Sequence, residues 1–109
     1  MFHMLSCFNL DADTGVPEFK SRVKALGDHL KKSDLLLSVG ALGKRQRHPV
    51  MDTDKERNHE YFFVMSFRDR RQCDQAVAEM YKTEQPLDEI HKAVYANIVD
   101  PVFICWEDV

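Results

Sequence analysis

One antiparallel four-stranded sheet with helices on a single face, an α+β fold, is what this sequence predicts. Three observations carry it. Apolar residues follow a period of two at 2–10, 60–67 and 102–109, and a period of three to four at 19–30 and 73–81. The segments run strand, helix, strand, strand, helix, strand, with no internal repeat or linker. With 109 residues there is room for one core, hence a single domain, 1–109.

The first strand is "FHMLSCFNL" (2–10), with Phe2, Met4, Ser6 and Phe8 on one face and His3, Leu5, Cys7 and Asn9 on the other. "DADTG" breaks it, and Pro17 suits the first turn of a helix, where its missing N–H would have no partner. Phe19, Val23, Leu26 and Leu30 form that helix's apolar stripe, which Ser33 and Asp34 end. "LLLSVGALG" (35–43) reads as the second strand. Residues 44–59 have no apolar period and only Val50 and Met51 as anchors, so they are expected to be the most mobile internal segment. "EYFFVMSF" (60–67) is the third strand. Asp69 then offers an N-cap, with Gln72 placed for a capping box, and Cys73, Ala76, Val77, Met80 and Tyr81 make the buried stripe of a second helix. After the break at Gln85 and Pro86, Leu87, Ile90 and Val94 mark a short third helix. Asp100 and Pro101 introduce the last strand, "VFICWEDV" (102–109).

A sheet covered by helices on one face should be polar on the other if it stands alone. Here Tyr61, Phe63, Met65 and Phe67 oppose Phe62, Val64 and Ser66, while Val102, Ile104 and Trp106 oppose Phe103 and Cys105. Left wet, the second face would exceed the few hundred Å² of apolar patch usual for a monomer. The expected cover is a second copy across a two-fold axis, giving a homodimer.

Composition narrows the partners. A chain that is 44% hydrophobic and 30% charged is globular, and a net charge of -3 gives no pull toward nucleic acid or anionic membrane. No apolar run approaches the roughly 20 residues that span a bilayer. "MFHMLSCFNL" lacks the features of a signal peptide, so a cytoplasmic location is expected. Cys7, Cys73 and Cys105 are odd in number and widely spaced, which predicts three buried, reduced thiols; only Cys73, after Arg70 and Arg71, has an electropositive neighbourhood. "KRQRH" (44–48) has no interleaved aromatics and reads as a solvated loop rather than a nucleic-acid site. Glu84, Asp88 and His91 have helical spacing, but Pro86 interrupts their shared face, and neither a metal nor a cofactor is expected.

In the order and spacing of "FHMLSCFNL", "LLLSVGALG", "FRDRRQCDQAVAEMY", "QPLDEIHKAV" and "VDPVFICWEDV", the chain resembles the stress-responsive A/B barrel family. That family belongs to the dimeric α+β barrel superfamily, whose protomers have the ferredoxin-like plan. The resemblance covers nearly the whole length. It implies two protomers closing an eight-stranded barrel, with a pocket between each sheet and its helices. Some members resemble cofactor-free enzymes such as a plant polyketide cyclase, which uses a tyrosine at the end of the second helix and a histidine in a His-Pro-x-His turn after it. Tyr81 matches the tyrosine; Gln85 and Asp88 stand where the two histidines would be, and His91 follows three residues later.

These residues define the candidate site. His91 would be a general base, with Asp88 one turn earlier to orient the imidazole and raise its pKa. Tyr81 would polarise a substrate carbonyl in the same cavity, and His3 and Tyr61 are further candidates to line the pocket. Three function classes follow: a dimer that binds a small organic ligand, a cofactor-free lyase- or cyclase-like enzyme using Tyr81 and His91, and an interaction module with a filled interior.

Overall fold

The computed structural model describes all residues 1–109 and has the ferredoxin-like α+β architecture. Strand β1 (Phe2–Leu10) is followed by helix α1 (Val16–Lys32), strands β2 (Ser38–Val39), β3 (Gly43–Lys44) and β4 (Tyr61–Phe67), helices α2 (Arg70–Tyr81) and α3 (Leu87–Tyr95), and strand β5 (Ile98–Glu107). The antiparallel sheet has the order β2-β4-β1-β5, with β3 also paired to β4. No helix is long and apolar enough to cross a membrane.

Each helix begins and ends where local chemistry dictates. Pro17 lies in the first turn of α1. At the other end Leu35 N–H donates to Leu30 O at 2.8 Å and Asp34 N–H to Lys31 O at 3.1 Å, a Schellman closure. Asp34 takes the left-handed position at φ 58, and its carboxylate accepts from Arg68 at 2.7 Å. Asp69 caps α2 by accepting from Gln72 N–H at 2.8 Å. The Gln72 side chain reaches back one residue further than a capping box requires, accepting from Arg68 N–H at 2.8 Å and donating to Asp34 O at 3.1 Å. Buried Gln72 thereby ties α2 to the end of α1.

The expected second strand, 35–43, is divided. Val39 pairs with Met65 and Gly43 with Phe62, so one chain advances four residues while the other advances three. The extra residue is a bulge, which kinks the strand between β2 and β3. Gly27 of α1 lets β2 pack closely, since a Cβ there would stand 2.9 Å from Val39 Cγ2. The last strand starts at Ile98 rather than 102, because Ile98 and Val99 pair with Leu10 and Asn9 beyond a second irregularity at Asp100, φ 53.

Burial follows the predicted faces. Phe8, Phe63, Met65 and Phe67 meet Phe19, Val23, Leu26 and Leu30 in one core. Phe8 is central, with ring centroids 5.3 Å from Phe19 and 5.7 Å from Phe63. β5 lies at the sheet edge, where helices do not reach. Phe103, on the helix side, is 53% exposed, while Ile104 and Trp106, on the other, are 49% and 41% exposed. This also corrects the expectation for Cys105, which is exposed; Cys7 and Cys73 are buried, and burial raises both thiol pKa values. Cys73 therefore lacks the depressed pKa of a reactive thiol.

Charged side chains hold one another within the 44–59 segment. Arg45 holds Asp52 with two contacts of 2.6 Å and donates to Arg57 O at 2.7 Å and Asp54 O at 2.9 Å. Arg57 in turn holds the Asp54 carboxyl, with backbone amides, at a pKa of about 2. The sequence lacks apolar anchors here, and charge supplies them. Thus folded, the loop borders a groove of about 640 Å³ over Cys7, Phe62 and Ile104 on the helix-free face.

Candidate active site

On the inner face of β1, Ser6 stands between Met4 and Phe8, and its small side chain leaves room beneath α3. The resulting cavity, about 80 Å³, has Met4, Ser6 and Phe63 along the sheet and Met80 from α2 at one side. His91 and Tyr95 close it from α3, with Phe103 at the rim. His91 and Tyr95 are one helical turn apart, and their rings meet edge to face at 4.8 Å between centroids. Leu87 and Val94, buried in the core, fix the rotation of α3 that turns His91 inward.

Burial lowers the His91 pKa from its ordinary 6.5, and the nearby Asp88 charge opposes this without overcoming it. The imidazole is therefore neutral at pH 7, with a nitrogen free to accept a proton. The stability consequence has a definite sign. Between the folded pKa and 6.5 the unfolded chain binds more protons at His91, so stability rises with pH there and is lost as pH falls below 6.5. We expect urea midpoints to drop between pH 7 and pH 5.5, and His91→Phe to flatten that part of the profile. An unchanged slope in the variant would remove the assignment.

The other predicted residues divide differently. Tyr81 is the last residue of α2 and is 80% exposed; the adjacent Met80 occupies the cavity wall in its place. Successive helical residues point about 100° apart, and the rotation of α2 that turns Met80 to the cavity leaves Tyr81 outside it. The structure thus does not bring Tyr81 to His91. Asp88 is turned to Lys92, at 3.0 Å, and acts on His91 only through its charge; it neither orients the ring nor yields a raised pKa. His3 lies on the opposite sheet face from the cavity, as strand parity requires. Its Nδ1 is 2.8 Å from Ser66 Oγ, its Nε2 2.8 Å from Asp108 Oδ1, and its ring stacks on Trp106. Tyr61 is on the cavity's face but packs on Phe8, 6.1 Å between centroids, outside the lining. Ser6 and Tyr95 were not among the predicted site residues. The available signals were Ser6 as the one polar side chain on its strand face, and Tyr95 one turn from His91.

No family model and no curated protein matches the sequence. Solved structures do match its fold. A hydroxynitrile lyase from Passiflora edulis is similar with a TM-score of 0.67 at 10% identity, over 96% of this chain and 90% of the other. A dimeric ferredoxin-like protein of unknown function from Jannaschia sp. CCS1 gives 0.63 at 13% identity, over 98% of both chains. A dabb family protein with a ferredoxin-like fold from Mesorhizobium loti gives 0.60 at 14% identity, over 99% and 96%. The chain thus has the ferredoxin-like fold found in a dabb protein and in dimeric neighbours, and identities this low carry fold alone.

Proposed function

We propose that this protein is a homodimeric, stress-responsive A/B barrel-like binding protein that takes a small, largely apolar organic molecule into the cavity beneath α3. The carrying observation is a cavity of hydrophobic side chains interrupted only by Ser6 and by a half-buried, neutral His91. An interaction module needs no such space; a binding site needs an apolar pocket with few polar groups to fix orientation. At about 80 Å³ the space is smaller than the roughly 150 Å³ that holds benzene, so the occupant is short unless Phe103 moves aside. The dimer is supported by exposed Ile104 and Trp106 on the helix-free face, and by dimeric neighbours of the same fold.

Methyl spectra of methionine-labelled protein test the binding reading. Met4, Met65 and Met80 line the cavity, while Met1 and Met51 are exposed elsewhere. Short ketones, alcohols and hydrocarbons should shift the first three signals and spare the other two. Shifts spread over all five, or none at millimolar probe, would refute it.

A second reading, proton transfer without a cofactor, is favoured by the same neutral imidazole and by the lyase neighbour. There His91 removes a proton beside a carbonyl. The check is deuterium exchange at the carbon next to the carbonyl of 2-butanone in D₂O. His91→Ala should slow it about 10²–10⁴-fold, the usual contribution of a placed base. Equal rates in both proteins would leave binding alone.

A further inference from the structure

We propose that Ser6 is the polar anchor of the cavity, and that its ligand is a short apolar molecule carrying one hydrogen-bonding oxygen. This rests on the binding reading above and deepens it. Ser6 is 2% exposed, and its Oγ has no hydrogen-bond partner in the protein. A buried hydroxyl costs free energy unless it is paired, and nearly all buried polar groups are. Its position explains why no partner exists. Ser6 lies on the central strand between Phe63 of β4 and Phe103 of β5, and the side chains of Met4 and Phe8 flank it on the same face. None of these four offers a strong side-chain donor or acceptor. The side chain instead lines the cavity that His91 closes from the opposite wall.

A ligand oxygen reaching Ser6 Oγ would complete that hydroxyl, while its carbon chain takes the apolar walls. A hydrocarbon fills the same space and leaves the hydroxyl unpaired. Oxygen at one end of the molecule is therefore what this cavity selects. The geometry gives Ser6 the role expected of Tyr81, from the sheet side rather than from α2.

Two probes of nearly one shape test this: 2-butanone and 2-methyl-1-butene, in which a carbonyl oxygen is replaced by a methylene. Dissociation constants are read from the Met4, Met65 and Met80 methyl signals in wild-type protein and Ser6→Ala. The ketone should bind wild type roughly tenfold more tightly than the alkene, and Ser6→Ala should abolish or reverse that preference, since the carbonyl would then be buried without its partner. Thermal melts of the unliganded proteins give a second readout. Removing an unpaired hydroxyl should raise the Ser6→Ala midpoint, whereas a fall would show that the hydroxyl is already satisfied, by an ordered water, and overturn the proposal. Equal affinities in wild type, or a ketone preference that survives Ser6→Ala, would overturn Ser6 as anchor and leave the cavity as a binding site. If neither probe moves the three methyls, the binding reading falls and the anchor with it.

Discussion

Ile104→Asp should convert the proposed dimer into folded monomers. Ile104 is half exposed on the helix-free face, beside Trp106, so within one protomer the new carboxylate remains wet and the fold is retained. Across the proposed two-fold axis the same position would be buried, where an unpaired charge costs about 3–5 kcal/mol. Each protomer carries one copy. With two copies, even the lower figure amounts to about 6 kcal/mol and weakens association by more than about 10⁴-fold, which moves a nanomolar dimer to dissociation at roughly tens of micromolar. Sedimentation velocity at micromolar protein should show wild type as a dimer and the variant as a monomer, with unchanged circular dichroism. A monomeric wild type, or a variant that stays dimeric, would remove the sheet-to-sheet arrangement. Phe63→Asp makes the contrast, since Phe63 is buried in the protomer core and its loss should unfold the chain itself.

Phe8→Ala should be the most damaging truncation in the core. The ring is fully buried and touches Phe19 of α1 and Tyr61 and Phe63 of β4, joining three elements through its own place on β1. Removing it loses the transfer free energy of the ring and leaves a void between a strand and a helix, together about 3–5 kcal/mol. A domain of this size has roughly 5–15 kcal/mol in total. Urea midpoints should therefore fall by about a fifth or more at an unchanged slope, measured at one protein concentration because the proposed dimerisation would contribute to stability. A loss below about 1.5 kcal/mol would mean that the neighbouring rings close over the gap.

The helix α1 shows what is legible without a fold. Phe19, Val23, Leu26 and Leu30 are all buried, because helical periodicity is a property of the chain itself and one stripe must face the core. The same holds for strand parity, which grouped Phe63, Met65 and Phe67 on one face and Ile104 with Trp106 on one face; strand pairing and the helices decided that the first set is buried and the second lies opposite. Capping by Asp69 is local and was equally readable. The 44–59 loop was not. Its contacts come from Arg45, Asp52, Asp54 and Arg57 folding onto one another, and spacing along the chain does not say which charges will meet.

The candidate site depended most on tertiary structure. Sequence alone determined a βαββαβ order, a two-sided apolar sheet and a histidine on a short third helix, since each is set by periodicity or by neighbours within a turn. Whether Tyr81 or Met80 faces inward depends on the rotation of α2 against the sheet, a matter of about 100°, and the packing of Cys73 and Ala76 chose Met80. Whether Asp88 serves His91 or Lys92 depends on side-chain reach, and Lys92 took it. The space beside Ser6 exists because large residues from β1, β4, α2 and α3 stop short of one small one, and only assembled elements can leave such a gap.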